Sequence, residues 1–115
     1  MSDNSQLIGP FEERLGEELR TVLGALGWPE ADVMVLESSS GNAAMIQVIY
    51  PFGYDTDLIP KGKPTISQAV EDFLRDKLSV SPWGFIIRKT HLRMWIKKES
   101  AVSNRLTDLS KAFAA

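Results

Sequence analysis

Apolar residues recur at steps of three and four in some stretches of the chain and at steps of two in others, and this change of period predicts the elements. Phe11, Leu15, Leu19, Val22, Leu23 and Leu26 form one helical stripe. Pro10 suits a first helical position, and Glu12 and Glu13 then fall in the first turn, where the helix dipole favours carboxylates. Gly27 is placed to end this helix in a left-handed cap, with Trp28 folding back and Pro29 barring continuation. Gly16 and Gly24 each weaken it by about 1 kcal/mol relative to alanine, which suggests close approach of another backbone there.

Asp32 to Glu37 reads as a strand, Ser38 to Asn42 as a turn, and Ala43 to Tyr50 as a second strand joined to the first as a hairpin. In the second strand Ala44, Ile46, Val48 and Tyr50 point one way and Met45, Gln47 and Ile49 the other. Both faces are largely apolar, which predicts a central strand or one covered on both sides. Residues 51 to 64 lack periodicity and carry three prolines, two glycines and two aromatics. Loops of this length in a small domain are uncommon and often functional. Phe52 and Tyr54 read either as partner-facing anchors or as a satellite cluster under the loop, and Leu58 and Ile59 either as further anchors or as a short edge strand.

Thr65 with Gln68 matches a capping box, and Ile66, Ala69, Val70, Phe73, Leu74 and Leu78 then share one face of a second helix ending near Ser79. Glu71 and Arg75 are spaced for an exposed ion pair. From Pro82 to Lys98 the most apolar and the most basic segments coincide. The alternation predicts Leu92, Met94 and Ile96 on a buried side and Arg93, Trp95 and Lys97 on the side met by solvent or a partner. A reversal near Thr90 and His91 would make residues 85–98 a strand pair. Its turn lacks the Asn-Gly or Asp-Gly signal of a confident hairpin, so one long bent strand is the alternative. A short last helix, capped by Ser103 or Asn104, carries Val102, Leu106, Leu109 and Phe113.

These elements give an α+β fold in the order α-β-β-α-β-β-α, with a mainly antiparallel sheet of about four strands, the first two helices packed on one face, and the last helix at an end or edge. Residues 1–9 read as a flexible N-terminus and 10–115 as a single domain. The order is that of two αββ units and a closing helix, which raises an internal pseudo-twofold or an edge-to-edge homodimer.

Charge changes the picture more than composition does. Residues 1 to 60 hold ten carboxylates against Arg14 and Arg20, while residues 61 to 115 hold eleven basic side chains against five acidic ones. The two halves either pair across the fold or form faces for different partners. Without cysteine, a disulfide framework, a thiol nucleophile and cysteine-ligated metals are excluded, and a reducing cytoplasm fits. The polar N-terminus does not resemble a secretory or mitochondrial address, and no apolar run approaches the length that spans a bilayer.

Chemical signatures are sparse. His91, the single histidine, falls at a turn with no nucleophile elbow in the chain. Asp55 and Asp57 lack the glycine and glutamate that complete a calcium loop. The reading is a non-enzymatic protein with no metal and no cofactor, acting by protein–protein interaction as an adaptor, chaperone-like or inhibitor type. Its contact candidates are Phe52, Tyr54, Asp55, Lys61 and Lys63 in the loop and Arg88, Arg93, Trp95 and Lys97 on the strands, because tryptophan and arginine dominate interface hot spots. The alternative is nucleic-acid binding by the basic strand pair 85–98, where alternating cations and an aromatic suit phosphate neutralisation and base stacking. A small enzyme is a more distant alternative.

Overall fold

The computed structural model describes residues 9–38 and 40–114. The segment read as a flexible terminus, apart from Gly9, lies outside them. Helix α1 (Pro10–Ala25) begins with Gly9 as its N-cap, whose N–H donates to Glu12 Oε1 at 3.0 Å. It ends as the sequence predicts. Gly27 takes φ +99°, its N–H donates to the Gly24 carbonyl, and the Trp28 N–H donates to that of Leu23.

Strands β1 (Asp32–Glu37) and β2 (Ala43–Ile49) form the expected hairpin. Helix α2 (Ile66–Leu78) is capped by the Thr65 side chain, which accepts from the Gln68 N–H at 3.1 Å. Strands β3 (Gly84–Ile87) and β4 (His91–Lys97) also form a hairpin, closed by the Arg88 N–H donating to the His91 carbonyl. This settles the choice against a single bent strand. Helix α3 (Ser100–Ala114) starts earlier than the expected caps and is not short. The reason is local: the Lys98 N–H still pairs with the Asn42 carbonyl, and the Ser103 N–H already bonds back to Glu99.

The sheet is antiparallel throughout, in the order β1-β2-β4-β3, so β2 and β4 are central and join the two αββ halves. Register decides which side is core. Val33 faces Val48 and Leu92, and Val35 faces Ile46 and Met94, while Ala44 faces Ile96. These residues form one buried cluster with Leu15, Leu19 and Leu23 of α1, with Ile66, Val70, Leu74 and Leu78 of α2, and with Val102 and Leu106 of α3. Each large side chain so buried contributes about 2 kcal/mol by removal from water. All three helices therefore cover the same face of the sheet, α3 packing against both α1 and α2.

Several local expectations need correction. Gly24 has open space where a Cβ would stand, and Gly16 approaches the side chains of Arg20 and Val35, so neither marks a close backbone crossing. Arg75 pairs with Asp72 and more distantly with Asp76, not with Glu71, because the neighbouring carboxylates are nearer its guanidinium. Residues around Leu58 form a short 3-10 helix, Thr56–Leu58, in place of an edge strand. Among the described residues no helix is long and apolar enough to cross a membrane.

Candidate functional site

With all helices on one side, the other face of the sheet is bare among the described residues. Strand alternation places three cross-strand rows on it: Asp32, Ile49 and His91; Met34, Gln47, Arg93 and Ile86; Leu36, Met45, Trp95 and Gly84. Ala43 and Lys97 continue the pattern at one end. The face is mostly apolar, and Met34 and Ile49 are each more than 40% exposed. Among the described residues no helix covers these apolar side chains.

Its centre is ordered. Arg93 Nε donates to Gln47 Oε1 at 2.9 Å, bridging β4 and β2 and fixing the guanidinium in the middle of the face. Trp95 lies between Arg93 and Lys97, as the alternation predicts, and its ring centroid is 6.2 Å from that of Trp83, the two planes tilted by 35°. Trp83 stands just before β3 and is largely exposed. Charge on this face is one-sided: Arg93 and Lys97, with Arg88 at the adjoining turn, against Asp32 alone.

The contact residues expected from the sequence divide into separate places. Arg93, Trp95 and Lys97 share the bare face. Tyr54, Asp55 and Arg88 line an open depression of about 780 Å³ at the end of the sheet, together with Tyr50, Asp57 and Lys89. Asp55 is occupied in the loop itself, accepting from the Asp57 N–H at 2.9 Å. Tyr54 is a packing residue: its hydroxyl accepts from the Ile66 N–H at the start of α2, and its ring meets those of Tyr50 and Trp28. Lys63 sits 4.4 Å above the Trp28 ring, near Gly27 at the C-terminal end of α1, where the helix dipole also favours a cation. Phe52 and Lys61 are exposed, away from these clusters.

In the depression, burial raises the pKa of the Tyr50 hydroxyl, and the nearby Tyr54 adds to the rise. The carboxylates and cations there are exposed to water. Among the described residues no three His, Asp or Glu side chains gather as a metal-binding set.

Sequence reasoning missed the part of the face that comes from the first hairpin. Met34, Leu36, Met45 and Ile49 alternate with buried residues, and that second apolar row was the signal. Of the two readings of β2, a central strand or one covered on both sides, the first holds: β2 lies between β1 and β4, and among the described residues no helix covers this side. No family model, curated protein or solved structure matches this chain.

Proposed function

We propose that this protein is a non-enzymatic binding domain of the adaptor, chaperone-like or inhibitor kind, and that it docks a protein partner on the helix-free face of its sheet. The observation that carries the reading is the apolar population of that face, which extends across all four strands where a solvated sheet would carry polar side chains. Trp95 and the pre-positioned Arg93 at its centre are the residue types that concentrate binding energy in interfaces. Charge narrows the partner. A surface with Arg93 at its centre and Lys97 at one end suits a protein segment that offers apolar side chains together with carboxylates. The cysteine-free chain suits work in a reducing compartment such as the cytoplasm.

One observation favours nucleic acid as a second reading: Trp83 and Trp95 lie close with cations beside them, an arrangement on which bases stack. The aliphatic residues of β1 and β2 weigh against it, since they offer neither phosphate neutralisation nor stacking.

The test is affinity capture from the native host with the wild-type chain and with the Arg93→Ala, Trp95→Ala double variant, each with and without nuclease. The reading expects a protein retained by the wild type, resistant to nuclease and lost from the folded double variant. Capture that disappears with nuclease supports the nucleic-acid reading. Equal capture by both chains removes the bare face as the contact.

A further inference from the structure

The two edges of the sheet are not equivalent. Along an antiparallel ladder, alternate residues turn their N–H and C=O groups toward the partner strand, and those between turn theirs away. The Ser38 N–H donates to the Ala43 carbonyl, so Val33 and Val35 present their backbone groups at the outer edge of β1. That edge is defended: Arg20 of α1 reaches across and donates from Nη2 to the Val33 carbonyl at 3.2 Å, and the strand begins and ends on the charges of Asp32 and Glu37.

Among the described residues strand β3 has no such protection. The Arg88 N–H donates to the His91 carbonyl at 2.8 Å, which assigns the even-numbered positions of β3 to the ladder with β4 and turns the backbone groups of Phe85 and Ile87 outward. Among the described residues no side chain bonds to these groups. The strand, Gly84–Ile87, has no charged residue. The side chains of Phe85 and Ile87 are 43% and 58% exposed, because they continue the core-side rows of Met94 and Leu92 beyond the helix layer.

We propose that β3 pairs antiparallel with β3 of a second copy, about a twofold axis at Ile86, joining two four-stranded sheets into one of eight. Phe85 of each copy then stands opposite Ile87 of the other, and the two pairs exchange their outward N–H and C=O groups. This register does not call on the Trp83 N–H, already donated to the Trp95 carbonyl at 2.9 Å. A second copy fits because a twofold contact presents the same strip to itself, and a strip without charge meets itself without repulsion. The flanking cations are also accommodated: Arg88 falls opposite Gly84, which has no side chain, and Lys89 opposite Trp83, whose ring attracts a cation. The proposal stands independently of what binds the bare face.

The absence of cysteine makes a direct test available. Ile86→Cys places a thiol on the axis, in a non-hydrogen-bonded pair with Cα atoms about 4.5 Å apart, within disulfide reach. Met34→Cys places one on β1, far from the proposed axis, as a control for random collision. Under mild oxidation Ile86→Cys should form a covalent dimer at least about tenfold faster than Met34→Cys, because pairing raises its effective concentration. The unmodified chain should sediment as a monomer–dimer equilibrium, and Ile87→Lys, an exposed change whose retained fold circular dichroism verifies, should shift it to monomer and slow the Ile86→Cys cross-link to the control rate. Equal rates for the two cysteine variants, a wild type that stays monomeric as concentration rises, or a dimer indifferent to Ile87→Lys would each overturn the assignment.

Discussion

Lys98 Nζ lies 2.7 Å from Glu12 Oε2, tying the residue between β4 and α3 to the first turn of α1. Glu37 Oε1, at the end of β1, is 3.5 Å from the same ammonium, and the Phe11 ring centroid is 5.4 Å away. Glu12 is fully buried and Lys98 mostly so. Among the described residues this is where the acidic first half and the basic second half form an ion pair.

Removing one partner leaves the other charge buried and uncompensated. Lys98→Met should therefore cost about 3 kcal/mol in urea unfolding, and adding Glu12→Gln should cost less than the separate losses combined. The pH dependence has a definite sign. Burial by itself would lower the Lys98 pKa, but the hydrogen bond and charge of Glu12, with those of Glu37, outweigh it and hold the pKa above the ordinary lysine value of 10.5. The stabilisation is complete below that value and is lost as pH rises through the higher folded-state pKa. Stability measured from neutral pH upward should thus fall toward that of Lys98→Met only in the strongly alkaline range. A constant gap between the two chains there would contradict the coupling.

Two glycines of the first helix region should respond in opposite directions. Gly24 is helical with open space at its Cβ position, so Gly24→Ala should stabilise by about 0.5–1 kcal/mol. Gly27 holds φ +99° beside Lys63, so Gly27→Ala should destabilise by about 1 kcal/mol or more. Paired denaturation midpoints measure both.

Two methionines separate the faces of the sheet. Met94 is fully buried beneath the helices, and Met94→Ala should cost about 2–5 kcal/mol. Met34 is 42% exposed on the bare face, and Met34→Ala should change stability by no more than about 0.5 kcal/mol. Thermal unfolding of the two variants distinguishes a one-sided core from one closed on both faces.

What could be read in the chain was local. Pro10, Gly27 and Thr65 set helix ends through backbone chemistry that acts over a few residues, and the alternation of Leu92 to Lys97 sorted its two sides correctly. The Lys89–Thr90 reversal was ambiguous because it lacks glycine, and among the described residues Ser79 is the one non-glycine with positive φ. Pairing of β2 with β4 had no local signal, since it joins strands that are not consecutive. Tyr54 read equally as a partner-facing anchor or as part of a cluster under the loop, because the partner that decides for the second, the Ile66 N–H, lies across the loop. Glu12 resembled any first-turn glutamate until Lys98 was brought to it.

The central pairing of β2 with β4 also governs how the molecule assembles. Each hairpin closes a short loop, but Gln47 and Arg93 are 46 residues apart, and the chain must surrender far more freedom to bring them together. Contacts of such span slow folding. This separation predicts that the hairpins form early and the seam between them late, with the meeting of the two halves as the expected rate-limiting event. A cut in the exposed turn at Lys61 and Gly62 would turn that event into an encounter between two fragments, with a rate that rises with their concentration.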